Sequence, residues 1–374
     1  MVSGNMKKTA AIILLLFPFV ILPSVKSVSN NIKEEVIPFR EVWGYLMRGE
    51  EKMLKGGEPF SDIGYFSLWI KADGSLSEKT PRPRIDLRNR FPRVHIVISE
   101  LTGSALTKDI LEKDSEKRTN LIDSIVSATE DFDGVQIDFE HVSAAQKDDF
   151  ISFLSDLKKM LSKEKILSVA LPAKRSSSPD DAYDYSLISN IADRIIIMAY
   201  DEHWSRSRPG PVASYEWCSK VAEYSASIIP KEKLIMGLPL YGREWSKRSS
   251  RSVRYKETRI LASKKRTQVY NSRNPFLVYK IGKARKVVYF DNEFSLSEKL
   301  KLYRRKEIRN VSFWRIGQGP NEIWARLNSE GLIDTDALSR ASKTASYFRR
   351  SVFSEKKRIS DVSSALSGKS ADRK

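Results

Sequence analysis

The chain has a single cysteine, Cys218, and only three histidines, His95, His141 and His203, set far apart. One thiol cannot form an internal disulfide, and neither a cysteine-rich metal site nor a disulfide scaffold can be built. Reactive cysteines need an exposed, electropositive setting, so Cys218 reads as a buried thiol on a helix. The scattered histidines read as hydrogen-bonded or exposed side chains, with no metal among the expected cofactors. There is no internal repeat, and no recognisable nucleic-acid-binding motif occurs. Long apolar runs are also scarce. The one near the start, Ala10 to Val25, is broken by Pro18 and Pro23 and is short for a membrane span of about 20 apolar residues. Lys7 and Lys8 precede it, and Val25 and Ser27 stand at small-residue positions behind it, so residues 1–27 read as an export signal cleaved after Ser27. An uncleaved anchor is the alternative. No cysteine lies nearby for lipid attachment.

What is present suits one barrel-sized domain with appendages. The chain has 374 residues, 41% of them hydrophobic, which is ordinary for a globular protein. Its formal charge of +18 is concentrated in two places. Between Lys247 and Lys286 fourteen Lys or Arg face the single acid Glu257, and from Arg340 to Lys374 ten face Glu355, Asp361 and Asp372, so the remaining chain is close to neutral. Such segments suit a solvated surface or a polyanion. For an exported chain the polyanion is an envelope polymer or anionic lipid.

Short β-branched or aromatic runs alternate with helical patterns, as in βα units around a parallel sheet. Strands are expected near Val42 to Leu46, Ile63 to Trp69, Val94 to Ser99, Gly134 to Glu140, Ile166 to Leu171, Arg194 to Tyr200, Leu234 to Leu238 and Val311 to Trp314. The clearest helix opens on a Ser143/Gln146 capping box, with Phe150, Phe153, Leu154, Leu157 and Leu161 as its packed face. Another is expected from Ala213 to about Ile228, ending before Pro230. The pattern predicts an α/β fold, a (β/α)₈ barrel over residues 38–338. A small α+β insertion falls at about 246–310, a span too long for a simple connection, with Val287 to Phe290 as one of its strands. Residues 339–374 read as a basic, Ser-rich tail.

The segment Asp131-Phe-Asp-Gly-Val-Gln-Ile-Asp-Phe-Glu140 carries the chemistry. Strand side chains alternate between faces, which sends Val135, Ile137 and Phe139 towards the surrounding helices and Gln136, Asp138 and Glu140 into the barrel. Glu140 then stands at the C-terminal end of a strand, where barrel active sites lie. Placing two carboxylates and an amide inside a core is costly unless they are paired or used. A glycosidic oxygen is a poor leaving group and needs a proton donor that is still protonated near neutral pH. Asp138, on the same face, would raise the pKa of Glu140 by repulsion, and partial burial would act in the same direction.

At these residues the chain resembles glycoside hydrolase family 18, whose signature Asp-Gly-x-Asp-x-Asp-x-Glu stands here as Asp133, Gly134, Gln136, Asp138 and Glu140. Gln136 departs from the commoner Asp. The resemblance continues through Met198-Ala-Tyr-Asp201, Pro209-Gly-Pro211, Ile229-Pro-Lys-Glu-Lys233, Gly237-Leu-Pro-Leu-Tyr-Gly242 and Val311-Ser-Phe-Trp-Arg-Ile-Gly317. It looks most like the peptidoglycan-directed, spore-cortex-lytic branch, without that branch's wall-binding repeats. Where common chitinases carry a Ser-x-Gly-Gly turn, this chain has Ser99-Glu-Leu-Thr102.

The resemblance implies that Glu140 protonates the leaving oxygen while the substrate's own acetamido oxygen attacks the anomeric carbon. It implies that Asp138 holds the acetamido N–H and stabilises the oxazolinium, that Tyr200 binds the acetamido oxygen, and that Gln136 orients Asp138 through an amide hydrogen bond. Trp314 would floor the subsite, with Met198 and Asp201 lining it. Tyr45 is a further lining candidate, and Trp204 and Trp245 could extend the cleft. The expectation is an exported, monomeric, cofactor-free glycosidase acting on an N-acetylated polysaccharide, in the cell envelope, periplasm or outside the cell. The alternatives are a non-catalytic glycan-binding barrel and an envelope scaffold that binds anionic polymer through its basic segments.

Overall fold

The computed structural model describes residues 36–330 apart from 79–82, 84, 102–103, 179–180, 248 and 265–266. The expected export segment and basic tail lie outside the described residues. Among the latter, eight parallel strands close a barrel: Glu41–Met47, Asp62–Trp69, Arg93–Glu100, Gly134–Phe139, Ile166–Pro172, Arg194–Met198, Leu234–Pro239 and Asn310–Trp314. Each expected strand is present to within two residues at either end. Chain neighbours are barrel neighbours, and the eighth strand returns to the first with Val311 opposite Val42.

The outer layer is helical: Ser104–Leu111 and Glu116–Thr129 follow the third strand, Lys147–Met160 the fourth, Tyr185–Ile191 the fifth and Tyr215–Ile228 the sixth. The Ser143/Gln146 capping box forms, but the turn it opens, Ala144–Gln146, is 3₁₀ and the α-helix proper starts at Lys147. Its Phe150, Phe153, Leu154 and Leu157 are buried, with Phe153 stacked on Phe139 at a centroid distance of 5.6 Å. The next expected helix begins at Tyr215, because the Ser214 hydroxyl accepts the Trp217 N–H at 3.2 Å and caps it. Cys218 is buried on this helix, and burial pushes its thiol up to about 11.

The insertion is a five-stranded antiparallel sheet in the order Ser250–Arg254, Tyr241–Trp245, Ala284–Tyr289, Phe276–Ile281, Val269–Tyr270. Helix Tyr255–Lys264 covers one face over Val253, Leu277, Tyr279 and Val288. The sheet takes in Tyr241–Trp245, ahead of the expected start at 246, since that strand runs on almost directly from the seventh barrel strand. At the other end Glu293–Arg305 belongs to the barrel: its Leu296, Leu300 and Tyr303 lie in the barrel core.

The N-terminal end of the barrel is plugged by paired charges. Asp62 is fully buried; it accepts from Arg93 Nε at 2.7 Å and lies 2.8 Å from His95 Nε2, while Glu41 pairs with Arg194 at 2.6 Å. Burial alone would raise the Asp62 carboxyl, but hydrogen bonds from His95 and Arg93 hold it below its usual value. The His95 ring stacks on Trp43 at 4.2 Å. Charges so placed serve the fold, because a buried ion is tolerated only when paired, and they leave the opposite end free for chemistry.

Candidate active site

The fourth strand divides its side chains as the alternation requires: Val135, Ile137 and Phe139 join the core beneath the helices, while Gln136 (1% exposed) and Asp138 (5%) point inward. Glu140 follows at the strand's C-terminal end, its N–H donating to the Glu100 carbonyl at 3.2 Å. One cleft at this end of the barrel is lined by Tyr45, Gln136, Asp138, Glu140, Met198, Tyr200, Asp201 and Trp314, and also by Phe66, Ala170 and Ile196. All eight candidate residues therefore meet in one place.

Within the cleft the hydrogen bonding differs from the expectation. Gln136 makes no bond to Asp138; its Oε1 accepts the Tyr45 hydroxyl at 2.8 Å. Asp138 Oδ1 is buried without a hydrogen-bond partner. Tyr45 can reach across because its neighbour is Gly64, where a Cβ would come within 2.5 Å of Tyr45 Cε1. Tyr45, Phe66 and Trp314 form an aromatic wall, with Phe66 to Trp314 edge-on at 4.8 Å and Tyr45 to Trp314 at 5.6 Å. Across the cleft, Tyr200 packs close to Gly237, where a Cβ would lie 3.0 Å from Tyr200 Cε1.

Electrostatics raise both carboxyls above their ordinary values. Burial first, and then the Glu140 charge, push Asp138 up to about 8. Glu140 is also raised, again chiefly by burial; His141 opposes the shift and Asp201 adds to it. Desolvation thus outweighs the repulsion that the spacing alone suggests. Glu140 is exposed and lines the cleft, so a substrate oxygen can reach it.

Several contributors were not legible in advance. Tyr241 and Arg243, on the first strand of the insertion, hold Asp201: the Tyr241 hydroxyl donates to Oδ1 at 2.6 Å, and Arg243 lies 3.4 Å from the same oxygen. Asp201 sits at φ +59°, a left-handed conformation that Asp tolerates better than most residues. The only sequence signal for Tyr241 was its place in the Gly237–Gly242 stretch. Trp204 and Trp245 do not line the cleft; Trp245 is buried in the insertion against Tyr289, and Trp204 is exposed. Among the described residues no group of three or more His, Cys, Asp or Glu could hold a metal ion.

Tyr183 is the other residue missed. Its hydroxyl donates to the Phe139 carbonyl at 2.8 Å and accepts the Val142 N–H at 3.1 Å, bridging the backbone on both sides of Glu140. Asp181 accepts the Tyr183 N–H at 2.9 Å, and Lys174 binds both the Asp181 carboxylate and the Tyr183 carbonyl. Tyr183 is thus a positioning residue. Tyr183→Phe should lower kcat about tenfold through the loss of both buried hydrogen bonds of the hydroxyl, with KM unchanged. A lower melting temperature at unchanged kcat would make it a structural brace only.

Comparison with known proteins agrees with this geometry. The family model of glycosyl hydrolases family 18 matches residues 72–319. YdhD of Bacillus subtilis strain 168, named as a sporulation-specific glycosylase, is 32% identical over 241 residues, covering 59% of this chain and 57% of its own length. The cortical fragment-lytic enzyme of Bacillus anthracis is 25% identical over 288 residues, 71% of this chain and 66% of that one. The chain therefore spans less than two thirds of the length of these two relatives. Among solved structures, the Bacillus cereus spore cortex-lytic enzyme SleL superposes with a TM-score of 0.70 at 25% identity, over 77% of this chain and 73% of that chain. A model match over most of the chain, a closed barrel and a carboxylate pair at the end of its fourth strand lead to one conclusion: the chain belongs to glycosyl hydrolases family 18.

Proposed function

We propose that this family 18 member is an exported glycosidase that hydrolyses β-1,4 bonds next to N-acetylglucosamine in peptidoglycan or a chitin-like glycan, with retention of configuration. The observation that carries this reading is the buried Asp138 carboxyl, whose Oδ1 lacks a hydrogen-bond partner and which stands two residues before Glu140 at the open end of the barrel. A fold does not keep an unsatisfied buried acid without use for it, and an acetamido N–H is a fitting partner.

In the proposed reaction the substrate's acetamido oxygen bonds to the anomeric carbon as the glycosidic C–O bond breaks, and Glu140 delivers its proton to the departing oxygen. Asp138 accepts the acetamido N–H and balances the positive oxazolinium, while the Tyr200 hydroxyl holds the acetamido oxygen. Water then opens the oxazolinium, returning its proton to Glu140. Trp314 floors the sugar, Met198 and Asp201 line the pocket, and the bond from Tyr45 fixes Gln136 beneath it. No cofactor takes part in this route. The names of the cortex-lytic relatives support peptidoglycan as substrate. Lys7, Lys8 and the apolar run to Val25 support export, and the basic segments support contact with an anionic envelope polymer or lipid.

Incubation with purified peptidoglycan and with N-acetylglucosamine oligosaccharides, followed by product masses, is expected to give fragments ending in N-acetylglucosamine. Proton NMR in the first minutes should find the β anomer. Binding of either glycan without any cleavage would make the chain a glycan-binding barrel, and an initial α anomer would exclude the substrate-assisted route.

A further inference from the structure

The second barrel strand contains a β-bulge, and the bulge changes which of its residues face the cleft. Up to Phe66 the strand keeps simple register, with Phe66 opposite Val97, and these two pack with Tyr45 on the inner side. The register then shifts between Phe66 and Leu68, so that Leu68 pairs with Ile98 and Trp69 with Ser99. Leu68 and Ile98 belong to the outer core beneath the helices. Trp69 is thereby turned to the inner side, where unbroken alternation would have sent it outward. Ser99 pairs in turn with Asp138, so Trp69, Ser99 and Asp138 form one row across three neighbouring strands. The row spans about 10 Å, two inter-strand spacings, comparable with the length of a disaccharide.

Trp69 is 61% exposed, and Leu101, just past the end of the third strand, is 54% exposed. A single exposed apolar residue needs no explanation. Here Trp69 ends the second barrel strand and Leu101 follows the third, its neighbour in the barrel, and the Ser67 hydroxyl at the bulge is buried without a hydrogen-bond partner. Bulges next to active sites re-aim side chains. The indole gains nothing for the barrel core from this placement.

We propose that Trp69, with Leu101 beside it, is a sugar-binding platform outside the catalytic cleft, stacking on the apolar face of a pyranose in the same glycan strand whose cleaved residue sits at Asp138 and Glu140. It makes the enzyme prefer long glycans to short ones. This inference rests on the glycosidase reading above.

The test compares the full-length chain with Trp69→Ala and Trp69→Tyr on two probes: the hexamer of N-acetylglucosamine, and a chromogenic glycoside of the single sugar, whose one pyranose cannot occupy both places. For Trp69→Ala, KM for the hexamer should rise about tenfold, equivalent to about 1.4 kcal/mol, with the chromogenic monosaccharide turned over as by the parent and Trp69→Tyr restoring hexamer KM. Equal KM values for parent and Trp69→Ala on the hexamer would overturn the platform while leaving the glycosidase reading intact. Equal losses on both probes would overturn it too, placing Trp69 inside the catalytic pocket or the fold. A parent chain that cleaves neither probe and does not bind the hexamer would overturn the glycosidase reading and the platform together.

Discussion

Glu140→Gln should reduce turnover by at least the roughly 10²- to 10⁴-fold that general acid catalysis supplies, with affinity for N-acetylglucosamine oligosaccharides retained. The amide keeps the size of the carboxyl and lacks the transferable proton. Because Glu140 makes no side-chain ion pair among the described residues and stands at the cleft mouth, its removal leaves no buried charge uncompensated, and the melting temperature should hardly change. The parent's rate should fall on the alkaline side, since Glu140 must hold its proton and burial raises its carboxyl. Parallel measurement of kcat, oligosaccharide affinity and thermal melting checks this. Full activity in Glu140→Gln would remove the proton donor from the scheme.

Asp138→Asn should separate activity from stability. Turnover should fall by about 10²-fold or more, as when a preorganised electrostatic contact to a developing charge is lost. The stability change has the opposite sign. Burial and the neighbouring Glu140 raise the folded carboxyl from an ordinary 3.8 to about 8, so between those values the folded chain binds a proton that the unfolded chain does not. The stability contributed by this group is complete below about pH 4 and is lost as pH rises towards 8. Asparagine does not titrate. The melting temperature of Asp138→Asn relative to the parent should therefore increase across that window and level off above it, an instance of an active site kept at a cost in stability. Thermal melts at a series of pH values test the point, and a constant difference would mean that Asp138 is already ionised at neutral pH in the folded chain.

The agreement between expectation and structure is uneven for identifiable reasons. The boundary of the insertion was misplaced because Tyr241–Trp245 follows the seventh barrel strand so closely that nothing local separates them. Conversely, Glu293–Arg305 was drawn into the insertion although its buried face packs on the barrel; amphipathic spacing reveals a packed face and not what it packs against. The expected Gln136 to Asp138 bond is absent, and the Gln136 Oε1 instead accepts from Tyr45, a partner 91 residues away.

By itself the sequence determined the eight strands, the inward direction of Gln136, Asp138 and Glu140, and the family, because strand alternation and the signature are local properties of consecutive residues. Only the tertiary structure decided that burial more than repulsion raises the carboxyls, that Tyr183 braces the backbone around Glu140 from the segment after the fifth strand, and that Tyr241 and Arg243 hold Asp201. It also decided the direction of Trp69. Alternation read along Ile63 to Trp69 points that indole away from the cleft, and only the pairing with the third strand shows the extra residue that turns it back. Desolvation, hydrogen-bond partners and strand register all depend on which distant segments lie alongside, and that is settled when the barrel closes.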